Sequence, residues 1–390
     1  MENVSSSNGL EKYPKLRFPG FTEPWRTTQL CKLFQKNTQK NSSGAVTNVI
    51  SNSAKNGLIP QKDYFDKDIA NADNTAGYYI IKRNDFVYNP RKSADAPYGP
   101  ISRYTYDDDG IVSPLYLCFR SKDVNPEYFE KYFKSTAWHR YIYMSGDSGA
   151  RHDRVSIKDE TFFEMPVHLP CNKEQEKIAT FLSLLEQKIE LQRILVDNLK
   201  KYKRGVVSHI LSGKSKKFSA VSLWTSKTLA ELCCEFKSGR NISSTLIYET
   251  GDYPVYGGNG VRGYCDQYSH DGEYVVVGRQ GALCGNVRLI QGQNYLSEHA
   301  IAVRANEENE TKFLLYLLDF MKLGQYSDQG AQPGLAVNKL LKLKYTVPEK
   351  KIQSKIASFL LAYDKQIATQ ENILSLLTVQ RKAFLQQLFI

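Results

Sequence analysis

The chain of 390 residues is 41% hydrophobic and 12% aromatic, which excludes a disordered polypeptide and allows two or three domains with sizeable cores. Its formal net charge of +11 predicts a polyanionic partner, nucleic acid before membrane, although a merely basic protein without such a partner stays open. The seven cysteines are odd in number and include no C-x-x-C pair, which favours a reducing cytoplasm over a disulfide framework or a zinc cluster.

The first part of the chain is predicted to be a short tail followed by a globular domain. Residues 1–13 lack the apolar core of a signal peptide, and no later apolar run reaches the length of a transmembrane helix, so no membrane association is expected. Residues 14–170 contain one helical stretch and several short β-prone runs bounded by Gly, Asn and Asp, which indicates a β-rich α+β domain. The helical stretch is 126–135, and the β-prone runs include 78–81, 86–88 and 115–119.

A long amphipathic helix is predicted next, within residues 171–213. The segment from Glu174 to Leu211 has no Pro and a single Gly, and its apolar residues recur at spacings of three and four. At the standard helical rise this segment would span about 57 Å. The residues expected at its buried interface are Ile178, Phe181, Leu185, Ile189 and Leu199, and the apolar stripe also includes Leu195.

The second half of the chain is predicted to have the same organisation. Residues 214–347 form another domain with short strands and one helical stretch, and residues 348–390 form a second long helix. The strands include 274–277, 286–290 and 300–303, and the helical stretch is 311–323. The expected interface residues of the second long helix are Ile356, Phe359, Tyr363, Ile367 and Leu377, and its stripe also includes Ile373.

An internal repeat relates the two halves. Residues 170–211 match residues 348–389 without gaps at a constant offset of 178, which places Gln192 on Gln370. Upstream, Trp25 matches Trp224 at the larger offset of 199, so the first domain is the longer copy. The framework repeats while the middle diverges, which indicates two copies that keep a scaffold and change what they contact. Ordinary drift after duplication is the alternative.

The two long helices are expected to bury their apolar stripes against each other. Antiparallel packing about a pseudo-twofold axis predicts an α+β fold with two β-rich domains separated by two long coiled-coil-like helices. Gln192 and Gln370 are polar positions within the stripes and are expected to fix the register. The alternative is that each helix folds back on its own domain.

Motifs for catalysis are missing from the sequence. Residues 213–215 read Gly-Lys-Ser, but Ser208 stands where a P-loop needs its first glycine. Residues 89–92 begin Asn-Pro and continue Arg-Lys, so they do not form the Asn-Pro-Pro-Tyr type of tetrad of an amino-methyltransferase. The acidic turn 107–110 lacks the remaining ligands of an EF-hand. No catalytic residue, metal or cofactor is therefore expected on this chain.

Polar and basic residues on glycine-rich loops are the candidates for binding DNA. Arg suits guanine edges, Asn and Gln suit adenine, and Lys suits phosphates, while neighbouring glycines let a loop approach a groove. In the first domain the candidates are Asn89, Arg91, Lys92, Arg103, Tyr104, Arg151 and Arg154. In the second they are Arg240, Tyr256, Asn259, Arg262, Arg279, Gln280, His299, Gln329, Gln332 and Asn338.

Over essentially its whole length the chain resembles a specificity subunit of a type I restriction–modification system. The resemblance rests on the duplicated layout and on a set of motifs that are specific only in combination. These are P-K-L-R-F-P-G-F-T-E-P-W at 14–25, E-Q-E-K-I-A-T-F-L at 174–182, Y-P-V-Y-G-G-N-G-V-R-G-Y at 253–264, V-G-R-Q-G-A-L-C-G-N-V at 277–287, Q-G-A-Q-P-G-L at 329–335 and I-Q-S-K-I-A-S-F-L at 352–360. The first domain departs from the glycine-rich loops, because residues 88–91 stand near where residues 277–279 would align.

The resemblance implies that residues 14–170 and 214–347 are target recognition domains, each reading one half of a bipartite double-stranded DNA site. It implies that the helices set the unread spacer and dock two methyltransferase subunits, which restriction subunits join in the full complex. S-adenosylmethionine, ATP and Mg²⁺ are then expected on those partners and not on this chain.

Two other classes of function stay open on the residues alone. One is a nuclease with an unrecognised active site, which incubation with DNA and Mg²⁺ would reveal. The other is an interaction scaffold that assembles partners without reading DNA, which a gel-shift assay would separate from a reader. The basic charge and the polar loops favour the reader.

Overall fold

The computed structural model describes residues 12–64, 75–146, 153–219, 223–281, 283–327 and 334–390. The chain folds as two compact units. Unit 1 combines the described residues up to Leu191 with the segment Leu374–Ile390, and unit 2 is the segment Gln192–Ile373. Each unit therefore contains one β-rich domain and parts of both long helices.

Unit 1 consists of short strands joined by tight turns, with helices at intervals. In chain order its elements are β1 (Arg26–Gln29), α1 (Leu30–Leu33), β2 (Phe34–Lys36), β3 (Ile50–Ser53), β4 (Gly57–Pro60), α2 (Gln61–Tyr64), β5 (Tyr79–Ile81), β6 (Phe86–Tyr88), β7 (Ile101–Arg103), β8 (Gly110–Val112), β9 (Leu117–Ser121), α3 (Pro126–Lys134), α4 (His139–Ser145), α5 (Asp159–Phe163) and β10 (Pro166–Leu169). The long helix α6 (Asn172–Leu211) follows.

Unit 2 repeats the pattern of short strands around one longer helix. In chain order its elements after α6 are α7 (Lys216–Ser219), β11 (Thr225–Thr228), α8 (Leu229–Leu232), β12 (Cys233–Ser238), a 3-10 turn (Ser244–Leu246), β13 (Tyr253–Gly257), β14 (Gly260–Cys265), β15 (Tyr274–Gly278), β16 (Val287–Ile290), β17 (Tyr295–Leu296), β18 (Ala300–Ala305), α9 (Thr311–Phe320), a 3-10 turn (Leu323–Tyr326), α10 (Val337–Leu340) and β19 (Lys344–Val347). The second long helix is α11 (Lys350–Gln387).

The same antiparallel sheet forms the centre of both domains. Its strand order is β2-β9-β6-β7 in unit 1 and β12-β18-β15-β16 in unit 2. Each domain is closed by an antiparallel pair, β1 with β10 and β11 with β19. The predicted α+β class and the predicted duplication are therefore both confirmed.

The helix that packs on each central sheet has clear local signals in the sequence. Asn125 caps α3, because its side chain accepts hydrogen bonds from the amides of Glu127 and Tyr128, and Pro126 suits the first helical turn. Its buried residues include Phe129 and Tyr132, which stand on one helical face. The repeat equivalents in α9, Phe313 and Tyr316, are buried in the core of unit 2. This helix therefore belongs to the repeated scaffold.

The two long helices begin with the same hydrogen bond. Gln175 Nε2 donates to the carbonyl of Pro170 at 3.0 Å, and Gln353 Nε2 donates to the carbonyl of Pro348 at 2.8 Å. Both amides are buried, so each has a backbone acceptor in place of water. This bond explains the recurrence of Gln five residues after Pro in the two copies.

The long helices pack antiparallel within each unit, as predicted. In unit 1 the rings of Phe181 and Phe384 lie 5.0 Å apart. In unit 2 Gln192 Nε2 donates to Gln370 Oε1 at 2.8 Å and to its backbone carbonyl at 3.0 Å. The two amides therefore meet at one level of the helices, which agrees with the prediction that these polar positions fix the register.

The ends of the long helices also pack on the domains, so the two sequence-based alternatives are both partly correct. Ile178 and Leu182 of α6 belong to the core of unit 1, together with Leu385 and Leu388 of α11. In unit 2 the core likewise includes residues from the end of α6 and from the start of α11. In each unit the domain therefore covers helix ends, and the two long helices also contact each other.

Neither a membrane span nor a metal centre is found in the part of the chain that the structure describes. No described helix is long and apolar enough to cross a bilayer. The described residues contain no group of three or more His, Cys, Asp or Glu side chains placed to hold a metal ion. All seven cysteines are free thiols.

Candidate nucleic-acid interface

The loop after β6 in unit 1 is held in place by Asn89. Its Nδ2 donates to the carbonyl of Asn52 at 3.1 Å, and its Oδ1 accepts from the amide of Arg91 at 3.1 Å. Gly99 lies behind this loop with φ of +83°, and a Cβ there would stand 2.1 Å from the carbonyl oxygen of Asn89. Both ends of the Asn89 amide are therefore occupied, and its role is to position the loop.

A short ribbon brings two distant candidates together in unit 1. The amide of Lys92 donates to the carbonyl of Asp153 at 2.8 Å, and the amide of Val155 donates to the carbonyl of Pro90 at 2.9 Å. Arg91 and Arg154 are thereby paired directly across an antiparallel bridge. Their side chains line one cleft of about 480 Å³, together with Lys92.

Two of the DNA-binding candidates of unit 1, Tyr104 and Arg103, make their contacts inside the protein. The ring of Tyr104 is fully buried, and its hydroxyl donates to the carbonyl of Asp108 at 2.8 Å, so its prediction as a DNA contact is wrong. Burial raises the pKa of Tyr104 to about 12. Arg103 pairs with Glu130 at 2.7 Å and donates to Asn84 at 2.9 Å, which ties β7 to α3. The sequence placed both in a polar loop, but the fold turns them inward.

The loop after β15 in unit 2 forms the same ribbon as the loop after β6. The amide of Leu335 donates to the carbonyl of Arg279 at 2.9 Å, and Gln280 is bridged to Gly334. Gln280 thus occupies the position of Arg91, and Gly334 that of Arg154. The backbone of the site is repeated, while the side chains at its centre differ.

Three polar side chains of unit 2 are ordered around this ribbon. His299 Nδ1 lies 2.6 Å from Gln280 Oε1, and its Nε2 lies 3.0 Å from Glu298 Oε1. Arg279 Nη1 donates to the carbonyl of Glu298 at 3.3 Å. Gln280 and His299 remain on the surface, so the predicted trio of Arg279, Gln280 and His299 is one preorganised polar patch.

The β13–β14 hairpin brings further candidates to the same patch. A Cβ on Gly258 would stand 2.7 Å from the carbonyl oxygen of Gln280, so only glycine allows the hairpin turn to approach the ribbon. Asn259 and Arg262 are exposed on this hairpin, and Tyr256 is half-buried. The sequence motif at 253–264 therefore forms a tight hairpin that presents the polar side chains of Asn259 and Arg262.

The remaining candidates are less well connected. Arg240 is exposed, and its amide donates to the carbonyl of Leu296 at 2.8 Å. Asn338 is exposed on α10, where its Oδ1 accepts from the amide of Lys339. Arg151, Gln329 and Gln332 lie outside the described residues.

Side chains that the sequence did not single out line the cleft of unit 1. Tyr116 stands beside Arg91 and Arg154, and Asn52 holds the cleft wall by donating to the carbonyl of Val87 at 2.8 Å. Ser102 donates in turn to Asn52 Oδ1 at 2.7 Å. None of these residues lies in a recognisable motif, because tertiary pairing alone brings them to the cleft.

The predicted interface residues of the long helices are all buried or half-buried, but two other stripe residues are not. Ile178, Ile189, Ile356, Ile367 and Leu377 are buried, and Phe181, Leu185, Leu199, Phe359 and Tyr363 are half-buried. Leu195 and Ile373 are 44% and 37% exposed, so their assignment to the buried seam is wrong. Further apolar side chains of the long helices are exposed, namely Leu184, Leu191, Ile194, Tyr202, Leu376 and Val379.

The chain matches the model of the type I restriction modification DNA specificity domain twice, at residues 26–201 and 222–379. It therefore belongs to the family of type I restriction–modification DNA specificity proteins and carries two copies of the domain. Each match includes one central sheet with its ribbon and a large part of one long helix.

Two curated relatives illustrate the sequence similarity. The chain is 44% identical over 142 residues to the type I restriction enzyme EcoprrI specificity subunit of Escherichia coli, which covers 35% of each protein. It is 27% identical over 209 residues to the putative type I specificity subunit S.MpnORF201P of Mycoplasma pneumoniae, which covers 52% of this chain and 84% of that protein. The chain spans between 35% and 45% of the length of the first three curated relatives that it matches.

Solved structures show the same fold. The type I restriction–modification S subunit from M. genitalium superposes with a TM-score of 0.61, at 19% identity, over 97% of this chain and 99% of that one. The HsdS subunit from Thermoanaerobacter tengcongensis superposes with a TM-score of 0.52, at 16% identity, over 96% and 98% of the two chains.

Proposed function

We propose that this chain is the DNA-recognition subunit of a type I restriction–modification complex, and that each unit reads one half of a bipartite DNA site. One observation carries the proposal. The same backbone ribbon presents Arg91 opposite Arg154 in unit 1 and Gln280 opposite Gly334 in unit 2. A scaffold that is repeated while its central polar side chains change is suited to binding one polymer through different contacts in the two units.

Reading takes place through hydrogen bonds to base edges in the major groove, where all four base pairs are distinguishable. In unit 2 the side chain of Gln280 is preorganised by His299, and Asn259 and Arg262 stand on the neighbouring hairpin. An amide offers one donor and one acceptor, which matches the edge of adenine. The chain itself performs no chemistry in this proposal, and the methyl donor and ATP are used by its partners.

The long helices dock two methyltransferase subunits, through which restriction subunits join. Unit 1 exposes Leu184 and Leu191 on α6 and Leu376 and Val379 on α11, with exposed fractions between 59% and 68%. Exposed aliphatic side chains on a helix pair favour the packing of further helices of a partner. Leu191→Asp with Leu376→Asp is expected to release the methyltransferase while free DNA binding persists.

Sequencing of methylated adenines in a host that carries this chain and its modification partner tests the reading of two half-sites. Gln280→Ala is expected to relax one half-site and to leave the other intact, because the substitution removes a contact of unit 2 alone. Arg26→Gln, an exposed substitution in unit 1 away from the ribbon, is the matched control. An unchanged methylated sequence in Gln280→Ala, or a change in both halves, contradicts the proposal.

The length of the long helices sets the number of unread base pairs between the half-sites. One heptad inserted into both helices, next to Gln192 and next to Gln370, preserves their hydrogen-bonded pairing and lengthens each helix by about 10 Å. The methylated half-sites are then expected to stay the same while the spacer grows by about three base pairs, at about 3.4 Å per base pair. An unchanged spacer contradicts this role.

A further inference from the structure

The ribbon of unit 1 places two arginine side chains as close together as an antiparallel pair allows. The hydrogen bonds of the ribbon run between Lys92 and Asp153 and between Pro90 and Val155, on either side of the arginines. Arg91 and Arg154 therefore form a non-hydrogen-bonded pair, in which Cα atoms are about 4.5 Å apart and both side chains leave the same face.

The charges of this pair are poorly compensated inside the protein. A guanidinium stays charged at any physiological pH, and like charges directly opposite each other destabilise a strand pair. The carboxylate of the largely exposed Asp153 lies 3.9 Å from Arg154 Nε. Arg91 takes part in no ion pair with another described residue. The unit therefore holds a local repulsion that a bound anion would remove.

The cleft in front of the pair has the composition of an anion site. It measures about 480 Å³, and its described lining includes Lys92 with the two arginines but no Asp or Glu. Tyr116 also lines it. Burial raises the pKa of Tyr116, and a hydrogen bond with the Asn52 backbone and the charges of Arg154 and Arg91 act against that rise.

Unit 2 does not repeat this chemistry. The equivalent pair, Gln280 and Gly334, is neutral. The pocket at the neighbouring hairpin of unit 2 is smaller, about 150 Å³, and Asp319 contributes to its lining. A concentration of positive charge at the centre of the ribbon is thus specific to unit 1.

We propose that Arg91 and Arg154 form a clamp for one phosphate group of the DNA backbone, a contact that unit 1 makes and unit 2 lacks. This inference rests on the proposed function. A backbone phosphate accepts hydrogen bonds from both guanidinium groups, and its single negative charge lies between them and offsets their repulsion, whereas a guanine edge carries no net charge and engages a single guanidinium. The clamp orients unit 1 on the duplex without reading a base.

Salt titration of the full-length chain on a random-sequence duplex of about 30 base pairs tests the clamp, because a phosphate contact needs no target sequence. In Arg91→Gln with Arg154→Gln, affinity at low salt is expected to fall about 10-fold, and the slope of log affinity against log salt is expected to shrink by about 0.9. The control, Arg26→Gln with Arg140→Gln, removes the same charge from exposed positions outside the cleft and is expected to stay within about twofold.

Inorganic phosphate provides a second test that does not depend on DNA. In dilute chloride the double variant is expected to melt slightly higher than the parent chain, by about 1 to 3 °C, because the repulsion is gone. Exchange of chloride for phosphate at equal ionic strength is expected to raise the melting temperature of the parent chain more than that of the variant.

The outcomes separate the two proposals. A parent chain that is stabilised by phosphate through the two arginines but does not bind any duplex keeps an anion site at this pair and overturns both its assignment to the DNA backbone and the proposed function. A parent chain that binds DNA with a salt slope unaffected by the double substitution overturns the clamp. A change of methylated sequence confined to one half-site in the double variant also overturns it, because it reassigns the pair to base reading.

Discussion

The helix that packs on each central sheet is fastened to the long helices by different groups in the two units. In unit 1, Lys131 of α3 donates to Glu186 at 2.6 Å, and Arg381 lies 3.8 Å from the same carboxylate. In unit 2, the hydroxyl of Tyr316 donates to Asp364 at 2.6 Å. Lys203 pairs with this Asp364 as Arg381 pairs with Glu186. The carboxylate and its cation on the long helices are repeat equivalents, so the duplication preserves this ion pair and varies the group that the recognition domain supplies.

A second difference lies at the start of the long helices. Glu174 is 1% exposed and accepts from Arg17 at 2.8 Å and from the indole of Trp25 at 3.3 Å. Its repeat equivalent in unit 2 is Ile352, which is buried among apolar side chains. The same position in the scaffold thus tolerates an ion pair or an aliphatic group, provided that its neighbours match it.

The largest expected effect follows from removing the carboxylate of Glu174 while its partner Arg17 stays in place. Glu174→Ala leaves the partly buried Arg17 without its carboxylate and is expected to lower the free energy of unfolding by about 3 to 5 kcal/mol. Glu174→Ile combined with Arg17→Met copies the apolar solution of unit 2 and is expected to stay within about 1 kcal/mol of the parent chain. Urea denaturation followed by tryptophan fluorescence measures both, and equal losses in the two variants would show that the pair is not what stabilises this junction.

Acid is expected to weaken unit 1 through the carboxylates that fasten α3. Burial opposes ionisation of Glu130, but the charges of Lys134, Lys131 and Arg103 outweigh it and lower the pKa to about 2. A depressed folded-state pKa stabilises the fold above the unfolded value near 4.5, and this stabilisation is lost as pH falls from about 4.5 towards 2. The loss is expected to reach about 2 to 3 kcal/mol.

Glu130→Gln is the matched variant for this acid titration. It is expected to be less stable than the parent chain at pH 7 and to lose less stability between pH 4.5 and 2, because it carries no titrating group at this position. Denaturant unfolding at a series of pH values measures both. Parallel pH profiles for the two proteins would assign the acid sensitivity to other groups.

A smaller effect is expected in unit 2, where the hydroxyl of Tyr316 takes the place of the ammonium group of Lys131 in unit 1 as the donor to the long helix. Tyr316→Phe removes one hydrogen bond to the half-exposed carboxylate of Asp364 and is expected to cost about 1.5 to 2 kcal/mol. The control is Tyr132→Phe at the repeat-equivalent position, because the Tyr132 hydroxyl makes no hydrogen bond with another described residue. This substitution is expected to cost less than about 0.5 kcal/mol. Thermal unfolding distinguishes them, and similar costs would mean that the hydroxyl does not fasten α9.

The smallest expected effect concerns the paired glutamines. Gln192→Leu with Gln370→Leu replaces a polar pair in an apolar seam and is expected to raise stability by about 0.5 to 1 kcal/mol, since polar groups at such positions define register at a cost in stability. Chemical denaturation measures the change. A loss above about 1 kcal/mol would show that the two amides stabilise the helices as well as align them.

Much of the fold could be predicted because its signals are local. The strand Phe86–Tyr88 was predicted with its observed bounds, and α3 was predicted as the helical stretch 126–135, to within one residue of its observed end. The repeat supplied the rest of the architecture, since Gln192 and Gln370 could be matched before their contact was known. Periodicity, caps and duplication are properties that a single sequence displays.

The site was less predictable because it depends on pairing between distant segments. Nothing in the sequence indicates that Arg91 faces Arg154 or that Tyr116 stands beside them. Tyr104 looks like a loop residue next to an acidic turn, but its ring fills the core. Leu195 continues an apolar stripe that is wider than the helix interface, and only the packing decides which of its members are covered.

The division of the chain has a consequence for its synthesis. Unit 2 is a single stretch, Gln192–Ile373, whereas the core of unit 1 needs Leu385, Leu388 and Phe389 from the last turns of α11. On the ribosome, where domains form as their residues emerge, the later-encoded unit can complete its core first. The earlier one keeps an uncovered apolar surface until the end of α11 emerges, so the order of translation does not by itself fix the order in which the two cores close.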